Sequence, residues 1–69
     1  MPIVLTTAHR RVYDFIEEYI GAPKSTTIAH GLGADLHETQ ILLSELSQSG
    51  LVHRSNRGRY RIAAAYVGD

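Results

Sequence analysis

The sequence predicts an α+β fold in which three helices precede a two-stranded β-hairpin, within a single domain over residues 1–69. Three segments carry apolar residues at the spacing of a helix face, and each one ends near a glycine. Two short stretches follow with apolar residues at alternate positions, joined by a turn-forming Ser-Asn-Arg-Gly at 55–58. With 43% apolar side chains, a chain this short can bury one core but not two.

The first helix is predicted at about residues 7–20. Thr6 or Thr7 is expected to cap its start, because a side-chain oxygen there can accept from a free backbone amide. Gly21 is expected to end it. The apolar residues that recur at helical spacing, and that should face the core, are Ala8, Val12, Phe15, Ile16, Tyr19 and Ile20.

A short second helix is predicted at about residues 26–32, with Ser25 or Thr26 as its cap. The glycines of the stretch Gly31–Gly33 should stop it within about two turns. The connection to the next helix is therefore expected to be tight.

The third helix is predicted at about residues 36–49, with Gly50 as its terminator. Asp35 followed by Glu38 has the spacing of a capping box, in which two side chains satisfy free amides at the helix start. The inward stripe of this helix is expected to be Leu36, Thr39, Leu42, Leu43 and Leu46.

The hairpin is predicted over residues 51–63, with strands at 51–54 and 59–63. Successive side chains of a strand point to opposite faces. If Tyr60 and Ile62 point inward, Arg59 and Arg61 therefore share the outer face.

This order of elements resembles a winged helix-turn-helix, with a glycine-bearing turn between the second and third helices and the hairpin as the wing. Residues 12–20 resemble the opening helix of LexA-type repressors. The resemblance implies that the third helix enters the major groove of double-stranded DNA and that the wing lies on the backbone or in the minor groove. The stretches similar to the N-terminal DNA-binding domains of IclR-type regulators are Ile28–Gly33, Leu42–Leu43, Leu46, Gly50–Val52 and Gly58–Ile62.

Within that resemblance, the side of the third helix opposite its core stripe would meet base edges. Gln40 can pair with adenine through two hydrogen bonds, and Ile41 can pack on a thymine methyl group. The full set of expected contacts on this helix is His37, Gln40, Ile41, Ser44 and Gln48.

The charges of the chain are segregated, although seven basic residues balance seven acidic ones. Basic residues of the wing are expected to contact phosphates or a narrow minor groove. The start of the second helix offers a second phosphate site, because free amides at a helix start attract anions. The residues expected to serve these contacts are Arg54, Arg57, Arg59 and Arg61 in the wing, with Lys24, Ser25 and Thr26 at the second helix.

The main alternative is a protein-docking module. The exposed side of the third helix lacks lysine and arginine and carries Glu38 and Glu45. These carboxylates can cap the start of the helix, be solvated, or accept a hydrogen bond from a cytosine amino group. The C-terminal winged domain of the DNA-processing protein A family is similar in its leucine-rich helix followed by Gly-Leu-Val and Gly-Arg-Tyr-Arg. An exposed Ile41 would then anchor a protein interface.

Other function classes are disfavoured by composition and spacing. The absence of cysteine excludes thiol catalysis and thiolate zinc sites and fits a reducing compartment. No catalytic constellation stands out, and His30, Asp35 and His37 lack the spacing of a metal-ligand pair. We therefore expect no enzyme activity, no cofactor and no metal, and a soluble cytoplasmic protein without a membrane helix.

A homodimer is expected, through Ile3–Leu5 and the tail residues Tyr66 and Val67.

Overall fold

The computed structural model describes residues 4–66 and has the α+β layout that the sequence predicts, matching a winged helix. Two of the residues expected to form a dimer surface, Ile3 and Val67, lie outside this range. The elements are α1 (Thr7–Glu18), α2 (Ser25–Leu32), α3 (Leu36–Gln48), β1 (Val52–Arg54) and β2 (Tyr60–Ile62).

Helix α1 begins after Thr6, as predicted, but ends two residues earlier than residue 20. The backbone turns extended at Tyr19, with φ −78° and ψ 132°, so helical periodicity no longer applies beyond it. Ile20 is consequently 97% exposed, and its assignment to the core face was wrong. Ala8 is exposed as well, whereas Tyr13, which the prediction omitted, is buried.

Helix α2 begins one residue earlier than predicted, and its N-cap is Lys24. Neither Ser25 nor Thr26 therefore acts as the cap, because both already belong to the first helical turn. The helix ends as expected at Gly33, which adopts the left-handed φ of 63° that glycine accepts without steric cost.

Helix α3 starts behind Asp35, whose carboxylate accepts from the Glu38 amide at 3.0 Å. The predicted stripe packs inward except for Leu36, which is 39% exposed. Helical side chains lean toward the N-terminus, so a leucine at the first position leans past the start of the helix and away from the core. The helix ends at Gln48, one residue before the predicted boundary.

The wing is an antiparallel hairpin in which Val52 pairs with Ile62 and Arg54 with Tyr60. Its turn is closed by the Gly58 amide, which donates to the Ser55 carbonyl at 3.0 Å. Gly58 has a positive φ of 76°, as a hairpin loop ending in a left-handed residue requires.

One core joins all three helices to the wing. Helix α1 contributes Val12 and Ile16 to it, and Tyr13 donates its hydroxyl to the Ala64 carbonyl at 2.8 Å, tying the chain after the wing to α1. This packing fixes the wing beside α3. The buried apolar residues of the core are Val12, Tyr13, Ile16, Ile28, Leu43, Leu46, Leu51, Val52 and Tyr60.

Candidate nucleic-acid interface

The face of α3 opposite the core is open. Thr39, Leu43 and Leu46 are buried on the inner side of the helix, and the residues expected to meet base edges are exposed on the outer side. Gln40 is among these exposed residues, so this side of the helix is available to a partner. A shallow groove of about 370 Å³ runs along it, lined by His37, Gln40, Ile41, Ser44, Glu45 and Gln48.

A second depression, which we call the wing cleft, lies between the wing, α3 and the start of α2. Its volume is about 430 Å³, and its walls include three cationic side chains and no carboxylate. Gln40 belongs both to this cleft and to the groove along α3, so the two surfaces are continuous. The residues that line the wing cleft are Lys24, Ser25, Thr26, Gln40, Arg54, Arg57, Gly58 and Tyr60.

Among residues 4–66, no acidic side chain forms an ion pair with a cation of the wing cleft. Within residues 4–66, one carboxylate contact joins His9 to Glu45 and another joins Arg10 to Asp14. Neither involves a side chain of the cleft. An anion from another molecule would therefore meet cations that have no acidic partner within residues 4–66. Hydrogen bonds between oppositely charged groups are stronger than those between neutral groups.

The hairpin register divides the four wing arginines, which the sequence analysis treated as one group. Residues directly opposite in an antiparallel pair project to the same face. Arg54 is opposite Tyr60, on the inner face, whereas His53 is opposite Arg61, on the outer face. Arg54 and Arg57 line the wing cleft and Arg59 and Arg61 do not.

Arg59 is engaged within the protein. Its guanidinium donates through Nη1 to the Ala22 carbonyl oxygen at 3.0 Å, and its backbone forms a bridge with Lys24. The neighbouring Tyr60 amide donates to the Pro23 carbonyl at 2.9 Å. The segment before α2 thus meets the wing through a single β-bridge and the Tyr60 amide bond, and the Arg59 side chain holds the two together.

This pairing between the segment before α2 and the wing was not predicted from the sequence. A proline fixes φ in the extended range and favours an extended neighbour before it, but no pairing was predicted at Pro23. That preference was the available signal. Because of this bridge, Lys24 lines the wing cleft together with Arg54 and Arg57.

Ser25 and Thr26 line the wing cleft from the first turn of α2. Thr26 is exposed and Ser25 is half-buried. The first amides of any helix lack partners within the helix and carry a partial positive charge, which adds to the attraction for an anion. The expected phosphate contacts at this helix are thus brought together with two of the four wing arginines.

Glu45 occupies a position that sequence analysis did not anticipate. Its Oε1 accepts from Nε2 of His9 on α1 at 2.6 Å, while Nδ1 of that ring accepts from the Thr6 amide at 2.9 Å. A backbone amide only donates, so Nδ1 carries no proton and Nε2–H must be the donor to Glu45. Glu45 is therefore a link between α1 and α3 and not a freely solvated carboxylate.

No group of three or more histidine or acidic side chains within residues 4–66 is placed to hold a metal ion. Over the same residues, no helix has the length and apolar character needed to cross a bilayer.

In comparisons with protein-family models and with curated proteins, the chain matches none.

Proposed function

We propose that this chain binds double-stranded DNA sequence-specifically, as a small regulator of transcription or replication, with α3 in the major groove and the wing on the backbone or in the minor groove. The observation that carries the proposal is the continuity between a cationic cleft, whose side chains form no ion pair within residues 4–66, and an exposed polar helix face that carries no lysine or arginine. Cations position a protein on phosphates, whereas polar side chains on an exposed helix discriminate between bases.

In the proposed complex, α3 supplies the base contacts. Gln40 pairs with adenine, and Ile41 packs on a thymine methyl group, while His37 and Ser44 make adaptable polar contacts. Gln40 stands where the α3 groove meets the wing cleft, so the base that it contacts lies beside the phosphates held by the cleft.

Phosphate binding is assigned to Lys24, Arg54 and Arg57, with Ser25 and Thr26 donating from the first turn of α2. Arg61 lies on the outer face of the wing and is assigned a weaker contact with more distant phosphates. Arg59 was expected to contact DNA, but its side chain bonds the Ala22 carbonyl, so we assign it the role of holding the wing in place.

The proposal extends to a homodimer on DNA acting in the cytoplasm, without catalysis or a cofactor. A single small domain makes few base contacts, and two copies on half-sites about 34–36 Å apart are a common remedy. Among residues 4–66, the candidate surface for this dimer includes Val4 and Tyr66. Tyr66 packs against Tyr13, with ring centroids 5.2 Å apart. Val4, which lies shortly before α1 in the sequence, is 77% exposed.

A protein-docking module is the second candidate, favoured by one observation. Ile41 is 46% exposed on a helix face without lysine or arginine. A docking surface of that kind would depend on Ile41 and show little dependence on salt.

The test is a fluorescence-anisotropy titration of a labelled duplex at several salt concentrations. Wild type is compared with Arg57→Ala in the wing cleft and with Arg61→Ala, a matched change on the outer face of the same hairpin. We expect Arg57→Ala to weaken binding and to reduce the slope of log affinity against log salt by about 0.9. Arg61→Ala should change both quantities less.

Two results would count against DNA binding through the cleft. If Arg57→Ala binds as wild type does, the cleft is not the phosphate site. If the wild-type chain binds no duplex at low salt, the docking module becomes the better explanation.

A further inference from the structure

Glu45 is a carboxylate on the outer side of α3 that the proposed function leaves without a DNA contact. It lines the groove along α3 together with Gln40 and Ile41, and its side chain is 38% exposed. A negative charge at this place repels the phosphates of DNA, which opposes binding unless the charge meets a hydrogen-bond donor. What Glu45 contributes therefore depends on whether the DNA offers a donor there.

The bond to His9 occupies one oxygen of the Glu45 carboxylate and leaves the other available. Oε1 accepts from the His9 ring at 2.6 Å, whereas Oε2 has no hydrogen-bond partner within residues 4–66. Every buried side-chain polar atom of these residues has a partner, so Oε2 must be accessible to another molecule. Glu45 thus presents one acceptor atom to whatever enters the α3 groove.

The same bond fixes the position of this acceptor. His9 is buried, and its Nδ1 accepts from the Thr6 amide, so the ring is held on both sides. An exposed glutamate samples several rotamers, and ordering it on binding costs conformational entropy. That cost is smaller for Glu45, because the fold already holds its carboxylate against His9.

Cytosine is the base whose major-groove edge suits a carboxylate acceptor. It presents its N4 amino group, a donor, whereas guanine presents two acceptors and thymine presents one. Adenine also presents an amino group, but its N7 acceptor lies beside that group and repels a carboxylate. Of the four bases, cytosine therefore offers a donor without an acceptor on the same base.

We infer that Glu45 is a specificity-determining residue that accepts a hydrogen bond from the N4 amino group of a cytosine. The inference rests on the proposed binding of DNA and adds a base that α3 reads. Ile41 and Glu45 are four residues apart and are neighbours on the helix surface, so they should contact neighbouring base pairs. The three cations of the wing cleft offset the repulsion between Glu45 and the phosphates.

The experiment is a selection of binding sites from a random duplex library, followed by anisotropy titrations on the selected duplex. Wild type should select cytosine at one position, and any other base there should weaken its binding about tenfold. The test variant is Glu45→Gln, whose amide oxygen still accepts from His9 while its amino group replaces Oε2. It should lose the preference for cytosine and favour a base with a major-groove acceptor at that position.

Glu38→Gln is the matched control, because Glu38 is an exposed carboxylate of the same helix that does not line the α3 groove. It should select the same bases as wild type. Circular dichroism checks that both variants keep their helices.

A second measurement uses the wild-type chain alone. The selected cytosine is replaced by 2-pyrimidinone, which pairs with guanine but lacks the N4 amino group. Wild-type affinity should fall about tenfold, as for the loss of one specific base contact. The same replacement at a cytosine outside the selected site should leave the affinity unchanged.

The inference is overturned if Glu45→Gln selects the same bases as wild type, or if 2-pyrimidinone is bound as well as cytosine. A uniform gain in affinity for all sequences in Glu45→Gln would also overturn it, because Glu45 would then only repel phosphates. In each of these cases wild type still binds duplex DNA and the proposed function stands. A wild-type chain that selects no duplex would instead overturn the proposed function, and the inference with it.

Discussion

The His9 ring on α1 donates through Nε2 to the Glu45 carboxylate on α3 at 2.6 Å, spanning 36 positions of sequence. His9 is buried, and its other ring nitrogen accepts from the amide of Thr6, the residue that caps α1. One side chain thus joins the start of the first helix to the middle of the helix proposed to read DNA.

Removing this link should destabilise the fold. Glu45→Ala leaves the buried Nε2–H of His9 without an acceptor, at a cost of about 1–3 kcal/mol in the free energy of unfolding. Glu45→Gln keeps an acceptor oxygen and should lose less. Urea denaturation followed by circular dichroism measures both, with Asp14→Ala as a control that breaks an exposed pair worth about 0–1 kcal/mol. Equal stability of Glu45→Ala and wild type would show that the link contributes nothing.

Arg59 should behave as a residue that positions the wing. Arg59→Ala removes the hydrogen bond to the Ala22 carbonyl, and we expect a loss of about 0.5–1.5 kcal/mol in unfolding free energy. Hydrogen exchange should speed up at the Tyr60 amide, which bonds Pro23 in the same contact region. Arg61→Ala, on the free face of β2, should leave both quantities unchanged. Unaltered exchange at Tyr60 in Arg59→Ala would contradict this role.

Gly31 is required where α2 meets the Phe15 ring. A Cβ at this position would overlap the ring carbons Cε2 and Cζ of Phe15. Gly31→Ala should therefore destabilise the protein by about 1 kcal/mol, since overpacking outweighs the gain in helix propensity. In a Phe15→Ala background the same change should become stabilising. Thermal denaturation of the four variants of this cycle gives the sign in each background, and the same sign in both would rule out the overlap.

Stability should fall at alkaline pH because of Tyr13. Burial raises the pKa of the Tyr13 phenol above its ordinary 10.0, and the nearby Glu17 carboxylate raises it further. The folded state then holds a proton that the unfolded chain releases. The stabilisation is complete below about pH 10 and is lost as pH rises through the folded-state pKa.

The comparison that isolates this effect is Tyr13→Phe, which lacks the titrating group. The difference in unfolding free energy between wild type and Tyr13→Phe should be constant at neutral pH and should shrink above about pH 10. A difference that stays constant throughout would show that Tyr13 does not titrate differently in the folded chain.

The order and approximate bounds of the elements follow from local signals in the sequence. Asp35 caps α3 and Gly33 ends α2 because capping and positive φ are properties of a few neighbouring residues. Periodicity was less reliable at the helix ends. Ile20 has helical spacing from Ile16, yet it lies beyond the point where the backbone stops being helical.

Features of the site that depend on pairing between distant segments could not be predicted. The inner position of Arg54 follows from its register opposite Tyr60, which only the hairpin geometry determines. The bond from His9 to Glu45 and the bridge from Lys24 to Arg59 join residues far apart in sequence. No local pattern marks such contacts, whereas the exposed face of α3 follows from helical spacing alone.

Nuclear magnetic resonance can show whether DNA occupies the wing cleft and the outer face of α3. Labelled protein is titrated with a short duplex, and backbone amide shifts are followed residue by residue. We expect the largest shifts at Lys24, Gln40 and Arg57. Shifts confined to residues outside the wing cleft and the outer face of α3, or no shifts with excess duplex at low salt, would show that DNA does not bind there.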